Sequence, residues 1–284
     1  MSKTKVWFIT GISRGLGKSL AAAVLATGDT VIGTTRDGTS DLEHDRGQLH
    51  VLPLDVTKPE DVKLALQAAH KINWRLDVIV NNAGYGLLGA VEESSLQDID
   101  NVFAVNFYGT LHVVQAALPY LREQKSGHII NITSIAGIAP MAGVGFYSAA
   151  KFAVEGMTQS LAQEVKPLGI NVTLVEPGAF RTQFLTPQSI KYAENIIDDY
   201  EETSGKLLQK LKKMDGNQLG DPELAANAII NIVNAPQPPL HLLLGTDALN
   251  RTRTKVREML EEIDKWAPLT VSTDFVETKS AVTV

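Results

Sequence analysis

Two residues four apart open the functional reading: Tyr147 and Lys151, in the stretch Tyr147-Ser148-Ala149-Ala150-Lys151. On a helix, a separation of four stacks two side chains on one face, a turn apart. A free phenol has a pKa of about 10, too high to trade protons readily at neutral pH. An ammonium one turn away favours the phenolate, so the pairing predicts a phenol made more acidic by its neighbour. The spacing by itself is unspecific, and what surrounds it gives it weight. Upstream, Ile129-Ile130-Asn131-Ile132-Thr133-Ser134 is a strand-like run that ends on the hydroxyl of Ser134. Two similar runs end in Asn81-Asn82-Ala83-Gly84 and Glu176-Pro177-Gly178. In open α/β sheets ligands bind beyond the carboxyl ends of the strands, so these ends are expected to converge on one crevice. Asn106 lies in the apolar helical stretch Val102–Phe107. It carries two readings: a buried amide satisfying backbone, or the holder of a water that relays protons.

A second chemistry-bearing segment is Thr10-Gly11-Ile12-Ser13-Arg14-Gly15-Leu16-Gly17, between the first strand-like run and the first helical segment. Glycines there allow a tight turn and a close approach of backbone N–H groups to a pyrophosphate at a helix N-terminus. The spacing is G-x-x-x-G-x-G rather than the more general G-x-G-x-x-G. Where an NAD site carries a carboxylate for the ribose 2′-hydroxyl, this chain reads Gly33-Thr34-Thr35-Arg36. Arg14 and Arg36 at one corner, with no carboxylate at the acidic position, suit a 2′-phosphate and predict NADP(H). Against this, Arg36 could be a solvated strand-end charge, and Asp37 could neutralise part of the site. The same loop contains Gly11-Ile12-Ser13-Arg14-Gly15, which fits a hydrolase nucleophile elbow with Ser13 as nucleophile, Asp198 or Asp221 as acid and His241 as base. An elbow on the first strand lacks a preceding strand to supply an oxyanion hole, which counts against it.

These residues need a frame to hold them. Apolar runs at Val6–Thr10, Thr30–Thr34, Leu49–Leu54, Asp77–Asn81, Gly127–Thr133, Asn171–Glu176 and His241–Leu244 are expected strands. Helical lengths separate them at Leu16–Ala26, Glu60–Ile72, Leu96–Arg122, Tyr147–Val165 and Pro222–Val233. Such alternation predicts right-handed βαβ units and one doubly wound α/β domain, a mainly parallel seven-stranded sheet flanked by helices. The expected domain covers 1–266. Residues 180–221 are an insertion read as a substrate lid, because so long a connection is usually functional. From Ala267 to 284 the periodicity stops, and that stretch reads as a tail.

Composition bounds the function. The 284 residues carry 26 Lys and Arg against 32 Asp and Glu, a net charge of −6, which argues against nucleic acid as the main partner. With no cysteine, disulfides, thiolate metal sites and cysteine nucleophiles are excluded. His44, His50, His70, His112, His128 and His241 show no paired ligand spacing, so no metal is expected. No stretch of about 18 apolar residues is present, so membrane insertion is not expected and the reading is a soluble, cytoplasmic protein.

Taken together, these motifs resemble the short-chain dehydrogenases/reductases, in the non-extended branch with a Rossmann-type fold, from Val6 to about Leu260. The resemblance rests on Thr10–Gly17, Asp55, Asn81–Gly84, Ser134, Tyr147–Lys151 and Pro177-Gly178, in that order. It implies an NADP(H)-dependent interconversion of an alcohol with a ketone or aldehyde, with Tyr147 as general acid or base. It implies that Lys151 tunes the phenol and holds the nicotinamide ribose, that Ser134 binds the substrate oxygen and that Asn106 anchors a water. The same resemblance gives Gly11, Ser13, Arg14, Gly15, Leu16, Arg36, Asp55 and Val56 to the cofactor. It adds Asn82, Ala83 and Gly84 at the adenosine ribose, with Pro177, Gly178, Phe180 and Thr182 at the carboxamide and pyrophosphate. Tyr85, Met141 and Phe184 are candidate substrate contacts, consistent with a moderately apolar substrate such as a steroid, retinoid, acyl chain or xenobiotic ketone. Members of this family are often dimers or tetramers built on two long helices, here Leu96–Arg122 and Tyr147–Val165, so a homo-oligomer is an expectation of the resemblance. A different class, an NADP-binding sensor or scaffold without turnover, would be expected to have lost the Tyr or Lys, and both are kept.

Overall fold

The computed structural model describes residues 4–275. Seven strands, β1 (Val6–Thr10), β2 (Thr30–Thr35), β3 (Gln48–Pro53), β4 (Val78–Asn81), β6 (Gly127–Ile132), β7 (Ile170–Pro177) and β9 (His241–Leu244), form one sheet in the order β3-β2-β1-β4-β6-β7-β9. Every pairing in it is parallel. The order reverses direction between β1 and β4, so a crevice opens beyond the carboxyl ends of those strands. Helices cover both faces, which is why the central strands are apolar without alternation. In β1, Phe8 points into the core shared with α2 (Pro59–Asn73), α4 (Gly109–Gln124) and α5 (Gly145–Val165). Its neighbours Trp7 and Ile9 point the other way, against α1 (Gly15–Ala26) and α7 (Pro222–Val233).

Helix boundaries follow local chemistry. Pro59 opens α2, where its missing N–H costs nothing. Asp221 caps α7 by accepting from the N–H groups of Glu223 and Leu224, with Pro222 in the first turn. The expected single helix from Leu96 to Arg122 is instead α3 (Leu96–Phe103), a π-helical turn at Ala104–Tyr108, then α4. Such one-turn widenings recur at functional sites, and this one contains Asn106.

Two parts of the structure go beyond the sequence pattern. The 180–221 insertion is partly regular: β8 (Ile190–Tyr192) pairs in parallel with β5 (Gly86–Leu88), and α6 (Lys206–Met214) follows. It is tied down by Lys191 paired with Asp98, by the Ile197 N–H donating to Glu93 Oε1 at 3.0 Å and by the Tyr200 hydroxyl donating to Glu92 at 2.6 Å. The expected tail is corrected as far as Ser272. Helix α8 (Thr246–Ser272) runs straight through Ala267, and residues 276–284 lie outside the described ones. Periodicity failed to reveal this stretch because, among the described residues, the last turns of α8 are exposed and no buried face imposes a pattern on them. No helix among the described residues is long and apolar enough to cross a membrane.

Candidate active site

Beyond the carboxyl ends of β1, β4, β6 and β7 lies a cleft of about 640 Å³. Its lining joins the glycine loop at one end to Ser134, Tyr147 and Lys151 at the other. Every residue singled out in the sequence as a cofactor or substrate contact lines it. Asn106 alone of the candidate site residues does not.

The glycine loop is shaped by contacts from β4. Gly11 and Gly15 have φ of 72° and 59°, a left-handed conformation that favours glycine. A Cβ on Gly17 would lie 2.3 Å from Asn82 Nδ2 and 2.4 Å from the Gly11 carbonyl oxygen, so only glycine lets α1 approach this closely. The Asn82 amide donates to the carbonyl oxygens of Thr10 and Gly11, both at 2.9 Å. The Thr10 hydroxyl accepts from the N–H groups of Asn82 and Ala83, each at 3.0 Å. Asn82 therefore fastens the loop to β4.

This mouth suits a dinucleotide phosphate. The first turn of α1 has neither a side-chain cap nor an acidic residue, which leaves its N–H groups to an anion. Neither Arg14 nor Arg36 is in an ion pair among the described residues. Asp37 is turned into its own loop: its carboxylate accepts from the Thr39 N–H and the Thr35 hydroxyl, and the backbone bond from Thr39 is the main reason its pKa is lowered. Asp55 is held by the N–H and hydroxyl of Thr57 at 3.0 and 2.7 Å. Burial raises the pKa of Asp55, but Thr57 and the nearby cations Lys58 and Arg36 outweigh it and leave the group below the usual range.

At the other end, Tyr147 and Lys151 are buried on one face of α5. Lys151 Nζ stands 5.8 Å from the Tyr147 ring centroid and donates to the Ile132 carbonyl at 3.0 Å. Burial pushes the Tyr147 phenol up to about 12, while its hydrogen bond with Ser134 pulls the other way. The expectation of an acidified phenol is thus corrected for the protein groups by themselves. Desolvation of the phenolate exceeds the help from an ammonium that is itself desolvated, pushed down to about 8, and aimed at a backbone carbonyl. Phe184 from the insertion packs on Tyr147, ring centroids 5.9 Å apart. Met141 is exposed at the rim.

The Asn106 side chain makes the contacts of the first of its two readings, that of an amide satisfying backbone. Its Nδ2 donates to the Tyr85 carbonyl at 2.8 Å and its Oδ1 accepts from the Tyr85 N–H at 3.0 Å. A Cβ on Gly84 would lie 3.0 Å from Asn106 Oδ1 and 3.6 Å from Lys151 Nζ, so the turn at Gly84 runs between the two side chains. The hydrolase constellation is not assembled. His241 Nδ1 contacts Glu176 Oε1 at 2.6 Å, Asp221 caps α7, and among the described residues no hydrogen bond joins Ser13 to His241, Asp198 or Asp221.

Several residues escaped sequence reasoning. Glu155 follows Lys151 by one turn and, with Glu176 and His241, forms the one group of three metal-type donors found among the described residues. Burial pushes Glu155 up to about 7, against the Thr133 hydroxyl that donates to it at 2.6 Å, with Glu176 adding and His241 opposing. The Tyr147–Lys151–Glu155 spacing could have revealed Glu155. Asp247, in the first turn of α8, accepts from the Ala179 N–H at 2.8 Å, and a Cβ on Gly178 would fall 2.1 Å from its Oδ1. Nothing in the sequence marks that partnership. Leu207, Leu211 and Met214 on α6 add an apolar wall, with the buried Gln218 side-chain amide beside them making no hydrogen bond among the described residues.

A family model described as short chain dehydrogenase matches residues 5–193. A Botryotinia fuckeliana protein named oxidoreductase BOA17 is 37% identical over 273 residues, 95% of this chain and 99% of that one. A Bacteroides thetaiotaomicron protein named 3-ketodihydrosphingosine reductase is 36% identical over 85% of this chain and 88% of its own. The crystal structure of a short-chain dehydrogenase from Streptomyces avermitilis superposes with a TM-score of 0.88 at 36% identity, covering 96% of this chain and all of that one. More distant structures hold NAD in a Burkholderia phymatum protein and NADP in ElxO, so the fold accepts either dinucleotide. With the fold, the glycine loop and the buried Tyr–Lys pair already in view, the chain belongs to the short-chain dehydrogenase family of oxidoreductases.

Proposed function

We propose that this protein is an NADP(H)-dependent oxidoreductase that interconverts a secondary or primary alcohol with its ketone or aldehyde. One observation carries the reading: buried Tyr147, with Ser134 and Lys151 beside it, shares a single cleft with the glycine loop and with two guanidinium groups that form no ion pair among the described residues. When bound, the dinucleotide supplies or accepts the hydride. The Gly11–Leu16 backbone would hold its pyrophosphate, Arg14 and Arg36 the 2′-phosphate, and Asp55 with Val56 the adenine. Ala83 and Gly84 would border the adenosine ribose behind Asn82, and Pro177, Gly178, Phe180 and Thr182 would line the nicotinamide end.

With a pKa near 12 before ligands arrive, Tyr147 keeps its proton at neutral pH and can give it to a carbonyl oxygen. Ser134 donates to the same oxygen and orients it. The Lys151 charge favours the phenolate left behind. Asn106 acts at one remove, fixing the Gly84–Tyr85 turn against which Lys151 lies. Tyr85, Met141 and Phe184, with the α6 wall, favour a moderately apolar carbonyl compound, and the keto lipid in the Bacteroides relative's name is of that class. Residues 180–221 act as the lid over it.

The test is a panel of apolar ketones and aldehydes, with NADPH absorbance followed and NADH in parallel. Wild type is expected to consume NADPH, and Tyr147→Phe to lose turnover while still binding NADPH. A turning-over Phe variant would remove Tyr147 from its role. NADPH binding without turnover on any substrate, in either direction, would favour the sensor reading.

A further inference from the structure

Two carboxylates lie close together at the edge of the sheet, out of contact with water. The Glu176 side chain on β7 is fully buried, and that of Glu155 on α5 is 5% exposed. Among the described residues neither forms an ion pair with a Lys or Arg. Lys151, one turn before Glu155, gives its hydrogen bond to the Ile132 carbonyl instead. The ionisable group in contact with the pair is His241, at the start of β9, whose side chain is 45% exposed.

A buried carboxylate needs a countercharge, a metal ion or a proton, together with partners for its oxygens. One oxygen of each is served. Glu155 Oε1 accepts from the Thr133 hydroxyl at 2.6 Å, and Glu176 Oε1 meets His241 Nδ1 at 2.6 Å. The other oxygen of each, Oε2, is buried and has no hydrogen-bond partner among the described residues. Ionised or protonated, each carboxyl therefore leaves one buried polar atom with its bond unmade, which is costly. The idle oxygen of Glu155 faces the imidazole, 4.0 Å from His241 Nδ1.

We propose that Glu155, Glu176 and His241 form a binding site for a divalent transition-metal ion of the Zn²⁺ type. Three donor atoms, one from each residue, all lie within 4.8 Å of one another. In a tetrahedral zinc site with bonds of about 2.0–2.2 Å, donors stand about 3.3–3.6 Å apart. The 2.6 Å contact thus opens and the 4.0 Å contact closes by less than ~1 Å, a change that the half-exposed imidazole supplies by turning. Thr133 steadies the Glu155 carboxylate from behind, as outer hydrogen bonds do for metal-ligating carboxylates. An imidazole donor favours Zn²⁺ and its neighbours over Mg²⁺ and Ca²⁺, which take oxygen ligands. Three protein ligands leave the fourth position to water. None of the three residues lines the catalytic cleft, so the ion does not touch substrate. Spacing along the chain could not reveal the site, because its donors come from α5, β7 and the edge strand β9 and meet only in the folded sheet.

The full chain, stripped with EDTA and dialysed, is titrated with zinc chloride by calorimetry. Wild type is expected to bind about one ion per chain in this site. His241→Ala, at a half-exposed position, is expected to weaken binding at least ~100-fold, the upper end of what even an outer-shell partner contributes. Glu176→Gln is expected to do the same, and where it fails to fold by circular dichroism, His241→Ala decides. His44→Ala, which removes an exposed imidazole outside the cluster, is expected to leave the affinity as it is. Co²⁺ gives a second readout. The chain has no cysteine, so in His241→Cys a thiolate-to-cobalt charge-transfer band can come only from position 241. That band is expected in His241→Cys and absent from wild type. A wild type that takes up no Zn²⁺ at concentrations on the order of 100 µM would overturn the site. So would Zn²⁺ binding that survives His241→Ala, or a His241→Cys chain that gives no thiolate band with Co²⁺.

Discussion

Removing one negative charge below the active site tests how Lys151 keeps its proton. Glu155 lies one helical turn beyond Lys151, which puts the charges on the order of 6 Å apart. At an effective dielectric of about 20 that is roughly 2–3 kcal/mol, an upper limit near ~2 pKa units. Two features of the site reduce it. Glu155 is itself pushed up to about 7, so the carboxylate is not fully ionised until the pH passes 8, and its charge is shared with the Thr133 hydroxyl and with His241 across from Glu176. A shift of about 0.5–1 unit remains for Glu155→Gln. The sign is fixed: the anion favours the ammonium, so without it Lys151 deprotonates at lower pH. The basic limb of kcat/KM for carbonyl reduction, expected near pH 8 from the buried ammonium, should move down by that amount. The assay is a pH–rate profile from about pH 6 to 10 with saturating NADPH, wild type against Glu155→Gln. An unmoved limb, or a uniform loss of rate at every pH, would refute the electrostatic role and leave Glu155 a packing residue.

Arg36→Asp should weaken NADPH relative to NADH by about 10- to 150-fold, nearer the lower figure because Arg36 is exposed, and an unchanged kinetic preference would remove it from the phosphate corner. Gly178→Ala sets a methyl group against Asp247 and should cost about 1–3 kcal/mol in denaturant unfolding, partly recovered in Gly178→Ala/Asp247→Ala; additive losses would deny the contact. Acid stability reads two buried groups of opposite sign. Burial pushes His128 down to about 4, so its contribution is lost as pH falls from about 6.5 towards 4, while the raised Glu155 contributes increasing stability as pH falls from about 7 to 4.5. Glu155→Gln should therefore show a steeper drop in Tm between pH 7 and 5 than wild type, and parallel curves would contradict the assignment.

Much of this protein was legible in the chain because its signals are local. Apolar runs, the capping Asp221-Pro222 pair and the glycine loop depend on neighbours a few residues away, and β1, β9 and α7 begin and end where the pattern sets them. The Tyr147–Lys151 pair was legible for the same reason: helix geometry alone puts the two on one face. The ionisation of that pair was not. Spacing supplies the charge but says nothing about how far the phenol is removed from water, and desolvation carried it the other way. Asp247 reaching Ala179, Asn82 binding the glycine loop and His241 closing on Glu176 join residues 65 to 72 positions apart. Those partnerships exist only once a parallel sheet has brought its strand ends together. The same holds for α8, whose last turns are exposed among the described residues, so no packed face imposes a core pattern on their sequence.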